Sequence, residues 1–255
     1  MESGINSEEG MFAMRQKKIL GVIGGMGPIA TSFFMELVIK MTKAETDQDH
    51  LDMIIYNIPS IPDRTSYILD HSKDSPLPVI VDIARKLEEQ GAEFLAMPCC
   101  TAHFFQEDLE KSLHKPFVNI IRATVHYLKE RGIRRVGVMA TDGTIQAGLF
   151  EKELEANGME YIVPSPQRQK DVMHIIYHNV KANEPADMER FHAVDAELKA
   201  KGAQAIILGC TELSLVKRDN DVGPGFIDAM EVLAQQSLIS CGSILKEEYK
   251  ELITK

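Results

Sequence analysis

The chain has 255 residues, enough for one or two domains and for a core that needs neither disulfides nor a structural metal. Its 28 lysines and arginines against 38 aspartates and glutamates leave a net charge of −10, which argues against a nucleic-acid backbone or an anionic membrane surface as main partner. With 44% hydrophobic and 26% charged residues, 17 glycines and 11 prolines, the composition excludes disordered, collagen-like and coiled-coil classes.

Residues 1–16, MESGINSEEGMFAMRQ, carry glutamates and lack the apolar stretch of a secretory signal. They read as a mobile leader, with Met11 and Met14 as alternative starts. No apolar run reaches the about 18–20 residues of a membrane helix. The cysteines, Cys99, Cys100, Cys210 and Cys241, are expected to be free thiols in a reducing cytoplasm.

From Lys17 onward, apolar strand-like runs alternate with helical patterns. KILGVI (18–23) is a short apolar run of the kind a buried parallel strand needs. GGMGPIAT follows, then the helical FFMELVIKMTK. LDMIIYNIP (51–59) predicts a strand, VIVDIARKLEEQ a helix and AEFLAMPC (92–99) a strand. The pattern then restarts with strand PFVNI (116–120), helix 121–132 and strand RRVGVMAT (134–141). Helix 144–158, strand EYIVP, helix 170–183 and helix 186–202 lead to strand AQAIILGC (203–210). GPGFID (223–228) is a weak strand, and helix dominates from Ala229.

Two stretches resemble each other: EQGAEFLAMPCCTAH (89–103) and AKGAQAIILGCTELS (200–214). In both, eight residues separate the helix-ending glycine from the cysteine, Gly91 to Cys99 and Gly202 to Cys210. ILGVIGGMG (19–27) pairs in the same way with VGVMATDG (136–143). Any two βα units share helix-ending glycines and apolar strands. The Cys-Thr or Cys-Cys-Thr at both strand ends favours duplication.

The expected fold class is α/β, with two pseudo-symmetric subdomains, each a parallel sheet flanked by helices, and the active site in the cleft between them. The expected division is 17–115 plus 224–255 for the N-terminal subdomain, closed by the C-terminal helix, and 116–223 for the second. Ligands bind such sheets at the carboxyl ends of strands, so Cys99 and Cys210 would face each other. A thiol at the start of a helix meets unpaired N–H groups and the positive end of the dipole, which lowers its pKa. Two thiols flanking a stereocentre permit proton removal on one face and delivery on the other.

Other readings compete. Cys241, in an apolar helix, reads as a small buried hydrophobe. Cys99, Cys100, His103 and Cys210 could ligate a metal, but paired C-x₂₋₄-C spacing is missing and the zinc signal is weak. A Cys99–Cys100 disulfide would be strained. Gly24, Gly25 and Gly27 match neither G-x-G-x-x-G nor a GK[ST] loop. Arg64 is either a solvated turn residue or a carboxylate fork. Lys181 reads first as a helix-dipole partner and Glu212 as a first-turn glutamate, while His103, one turn after Cys99, either tunes that thiol or caps and packs the helix.

GGMGPIAT (24–31), IPDRT (61–65), MPCCTAH (97–103), VKAN (180–183) and LGCTEL (208–213) together resemble the aspartate/glutamate racemase family. The resemblance runs from about Lys17 to the C-terminus. It implies an amino-acid racemase that works without pyridoxal phosphate or another cofactor, commonly as a homodimer, on an acidic amino acid, aspartate before glutamate. It further implies that Cys99 and Cys210 are the acid/base pair, that Arg64 holds the substrate's distal carboxylate while Lys181 also reaches the substrate, and that Met26, Thr101 and Thr211, with Cys100 at the substrate-binding asparagine position, contact substrate near the thiols. Cys100 stands where the family motif has asparagine, and Asn183 where it has glycine. A cis-trans isomerase or decarboxylase of small diacids on the same fold, or a non-catalytic amino-acid-binding protein, are the alternatives.

Overall fold

The computed structural model describes residues 17–255; the leader expected at 1–16 lies outside the described residues. The first half contains β1 (Leu20–Gly24), α1 (Pro28–Met41), β2 (Met53–Asn57), α2 (Arg64–Leu69), α3 (Leu77–Glu89), β3 (Phe94–Ala96), α4 (Gln106–Ser112) and β4 (Phe117–Val118). The second contains α5 (Ile120–Glu130), β5 (Arg135–Met139), α6 (Asp142–Gln146), α7 (Leu149–Ala156), β6 (Glu160–Ile162), α8 (Pro166–His174), α9 (Met188–Ala200), β7 (Ala205–Leu208), α10 (Thr211–Asp219), β8 (Phe226–Asp228) and α11 (Ala229–Ser240).

The strands form two four-stranded sheets, ordered β2-β1-β3-β4 and β6-β5-β7-β8. Every pairing is parallel. The two orders are one order repeated, so β5 corresponds to β1 and β7 to β3. The likeness extends to packing. A Cβ on Gly21 of β1 would lie 2.7 Å from Leu95 and 2.8 Å from Ala92, with Leu87 next. On Gly137 of β5 it would lie 3.1 Å from Ile206 and 3.2 Å from Ala203, with Leu198 next. The same neighbours, the end of a helix and the strand after it, press on both backbones: a Cβ at Gly21 would clash, and one at Gly137 would be tight.

β4 belongs to the first sheet and β8 to the second, so each sheet extends a few residues past the boundaries expected at 116 and 224. The strand expected at 116–120 stops at Val118, because Asn119 turns its side chain to cap α5, accepting from the Arg122 amide at 2.9 Å. The helix expected over 144–158 is two helices, broken at Gly148, whose φ is 63°. The helix expected over 170–183 also changes character: α8 ends at His174, a π turn runs Ile175–Asn179, and a 3₁₀ turn, Val180–Ala182, ends at Asn183 with φ 61°. The wider turn re-phases the segment, and its side chains Tyr177 and Lys181 reach the cleft.

A central core joins the halves. Val22 of β1, Phe34 of α1, Val125 of α5, Val138 of β5 and Leu233 of α11 belong to one buried cluster. α11 packs on both α1 and α5. Separate clusters cover the outer faces, around Ile80 and Leu95 in one half and Phe191 and Ile206 in the other. With helices filling the space between the sheets, the carboxyl ends of β1, β3, β5 and β7 are left to converge. No helix among the described residues is long and apolar enough to cross a membrane.

Candidate active site

Cys99 follows β3 in a tight turn, its amide donating to the Met97 carbonyl at 2.7 Å. Cys210 follows β7 and sits at the N-cap of α10. These are corresponding places in the two halves, and both cysteines border one narrow cleft of about 270 Å³. Exposure is small, 6% at Cys99 and 5% at Cys210. The same cleft is lined by Met26, Arg64, Cys100, Thr101, Lys181 and Thr211, so the structure gathers every site residue expected from sequence. It adds Asp63, Thr65, Thr141, Tyr177 and Glu212.

Hydroxyl groups hold the halves together over the cleft. Thr101 of the first half lies 2.9 Å from the Thr141 hydroxyl and 3.0 Å from Thr144, and those two are 3.1 Å apart. All three are buried, so each hydroxyl can donate to one neighbour and accept from the other. On the far wall the Tyr177 hydroxyl donates to Asp63 at 3.3 Å. Burial pushes the Tyr177 phenol to about 12, which keeps it a donor. α6 carries Gly143 against α2: a Cβ there would stand 2.9 Å from the Thr65 backbone.

Arg64 opens α2 behind its N-cap Asp63, whose carboxylate accepts from the Ser66 amide at 2.8 Å. Burial alone would raise the Asp63 carboxyl; the Ser66 amide and the Arg64 charge outweigh it and hold it below the usual range. The guanidinium is buried rather than solvated. Nη1 donates to the carbonyls of Ile61 at 3.2 Å and Pro62 at 3.0 Å, while Nε has no partner. Burial opposes the charge, but the neighbouring Cys99 and Asp63 outweigh it and raise the pKa. An orphaned buried N–H on a fixed cation is free to receive an acceptor such as a carboxylate oxygen.

Glu212 is the residue the sequence undervalued. It does sit in the first turn of α10, but its carboxylate is buried in the cleft. Its Oε2 accepts the Cys210 thiol at 2.9 Å, and its Oε1 takes Lys181 Nζ at 3.0 Å. Lys181 is thus an ion-pair partner in the site, not a helix-dipole complement. Burial lowers its pKa, and Glu212 and Cys210 more than reverse this, so the ammonium stays charged. The expectation that a helix start lowers the thiol pKa fails at Cys210. Burial first, then the Glu212 charge, push it well above the ordinary thiol, and Lys181 only partly opposes them. Desolvation and a carboxylate at hydrogen-bond distance outweigh the partial charge of a helix end.

Cys100 borders the cleft while belonging to the central core, and burial raises its thiol strongly. Cys241 also packs in that core, and all four cysteines are free. His103 serves the loop rather than a metal. The Ile120 amide donates to its Nε2 at 3.3 Å, so its Nδ1–H donates to the Cys99 carbonyl at 2.9 Å. Both nitrogens are spent, and among the described residues no group of three His, Cys, Asp or Glu side chains is arranged to hold a metal. Burial drops the His103 pKa from 6.5 to about 4. The unfolded chain therefore binds the extra proton first as pH falls from about 6.5 to about 4, and stability falls with it, by up to about 3 kcal/mol. Urea midpoints taken at pH 7 and pH 4.5 should show this drop, and His103→Gln should flatten it.

The sequence and the fold are shared with known proteins. The sequence profile of the Asp/Glu/hydantoin racemase family fits residues 23–237. The chain belongs to this family. It is an amino-acid racemase by that membership and by its fold. The broad specificity amino-acid racemase RacX of Bacillus subtilis is 30% identical over 224 residues, covering 86% of this chain and 96% of the relative. The aspartate racemase structure of Picrophilus torridus superposes with a TM-score of 0.80 at 33% identity, covering 91% of this chain and 98% of that one. An aspartate racemase homologue from Pyrococcus horikoshii gives 0.70 at 25% identity, covering 88% and 99%.

Proposed function

We propose that the chain racemises an acidic amino acid, aspartate first, by exchanging the Cα proton between Cys99 and Cys210. The observation that carries this reading is the pair of cysteines at repeat-related strand ends on one cleft, each beside a different charged partner. Arg64 Nε takes the distal carboxylate of aspartate. Lys181 takes the carboxylate next to the reacting carbon, where its charge favours the electron density that moves there as Cα loses its proton. Cys99 takes the proton on one face and Cys210, whose S–H is held by Glu212, gives one on the other. In the reverse direction the thiols exchange roles.

The raised Cys210 pKa suits a group that starts as donor. Lys181 makes its contact by sharing its ammonium with Glu212. Both thiols must stay reduced, which fits a cytoplasmic enzyme. Incubation with L-aspartate in D₂O, followed by proton NMR and chiral chromatography, tests the proposal. The expected result is loss of the Cα proton signal together with appearance of D-aspartate. Exchange without D-product, or product without exchange, contradicts a two-sided proton transfer.

A further inference from the structure

The thiol of the second half stands at the start of a short helix that its own side chain does not cap. Cys210 is the N-cap residue of α10, but its thiol turns to Glu212 and makes no bond to the helix amides. One turn further on, Ser214 is buried, and its hydroxyl donates to Asp228 Oδ1 at 2.6 Å. Asp228 ends β8, is completely buried, and caps α11 by accepting the Met230 amide on the same oxygen at 2.9 Å. Three residues after Ser214, on the same face of α10, Lys217 pairs with Glu231 of α11 at 2.6 Å. Both bonds fasten α10 to the start of α11, the helix that packs on α1 and α5 in the central core.

The first half holds its thiol at the same place with different groups. Leu95 and Ile206, each four residues before its cysteine, pair with Phe117 and Phe226, so Asn119 corresponds to Asp228. Four residues after the cysteines, His103 corresponds to Ser214. His103 takes the Ile120 amide just past β4, and Ser214 reaches Asp228 at the end of β8. In each half, the residue one turn after the thiol is thus bonded to the carboxyl end of the fourth strand. The two caps differ in one respect. Asn119 caps α5 with an amide oxygen, so a cap at this place needs no acid. Burying an acid completely is costly: burial raises the Asp228 pKa, and Lys217 and Ser214 work against that rise. Its Oδ2 has no hydrogen-bond partner, so the acid is not spent on a further donor. What the carboxylate adds to a cap is a stronger hold on the Ser214 hydroxyl than an amide oxygen gives.

We propose that Asp228 is a positioning residue for the second thiol: through Ser214 it fixes the start of α10, and with it the place of Cys210 against the substrate. The proposal rests on the racemase reading above. It is tested with Ser214→Ala, which removes the bond and leaves the α11 cap, and with Asp228→Asn, which keeps a capping oxygen as Asn119 does. Each variant is incubated with L- and with D-aspartate in D₂O, and inversion is followed separately from deuterium wash-in to the unchanged enantiomer. Inversion needs both thiols and should fall at least fivefold in both variants. Wash-in should stay within about twofold of the wild type on the enantiomer that Cys99 deprotonates, and fall with inversion on the other. A general loosening of the fold would lower inversion and wash-in in proportion on both enantiomers. That result overturns the proposal, as does inversion within twofold of the wild type in either variant. Iodoacetamide labelling, read by peptide mass spectrometry, needs no turnover. Ser214→Ala should raise the labelling rate of Cys210 at least threefold relative to that of Cys99, and an unchanged ratio overturns the tie. If the wild type leaves the Cα proton in place, the racemase reading fails, and the tie between Asp228 and Cys210 then stands or falls on this ratio alone.

Discussion

Cys99→Ser and Cys210→Ser should each lower racemisation of aspartate on the order of 10³-fold, equivalent to about 4 kcal/mol of barrier. A serine hydroxyl keeps the size of the side chain but does not ionise near neutral pH, so one face of Cα loses its base or donor. The surviving thiol still reaches the other face. Each variant should therefore wash deuterium into one enantiomer without inverting it, and the two variants should act on opposite enantiomers. NMR of separate L- and D-aspartate incubations reads this directly. The double variant should be silent on both. Both cysteines are nearly fully buried, and serine leaves the Thr101–Thr141–Thr144 contacts and the Tyr177–Asp63 bond intact, so folding should hold. Full racemisation by either single variant would contradict a two-thiol transfer.

Much of this site can be read in the sequence because it sits on a duplicated frame. The Gly91–Cys99 and Gly202–Cys210 spacings are local, and the structure turns them into matching strand ends. Burial of both faces of β1, β5 and β7 makes the apolar runs unambiguous. What stays hidden depends on contacts across the cleft. Thr141 and Thr144 look like ordinary caps, since Thr141 does cap α6 by accepting from the Thr144 amide, yet they also receive Thr101 from the other half. Tyr177 and Lys181, four residues apart, share one helical face, and both line the cleft. The sequence does not say that this face meets Asp63 and Glu212 from distant segments. Glu212 carries the strongest signal that was missed: an acid two residues after a functional thiol, whose value depends on Lys181 arriving from a distant segment.

That convergence makes Glu212→Gln the most informative charge substitution. The substitution removes a negative charge while keeping an oxygen that can accept from Cys210. Two of the influences that raise the Cys210 pKa vanish, the Glu212 charge and the hydrogen bond to its carboxylate. Burial remains, and Lys181, which lowers it, is no longer neutralised. The thiol pKa must fall, so alkylation of Cys210 by iodoacetamide, followed by peptide mass spectrometry, should move to lower pH. Lys181 loses its buried counter-charge at 3.0 Å, which should cost about 2 kcal/mol of stability. A donor that ionises too early cannot protonate Cα, and kcat should fall on the order of 10²-fold. Glu212→Asp keeps the charge on a shorter arm and should retain most of the alkylation profile. If Glu212 were only a structural ion-pair member, Glu212→Gln would lower stability and leave the pH dependence of Cys210 modification where it is in the wild type. A shift toward acid pH ties the carboxylate to the proton that Cys210 carries.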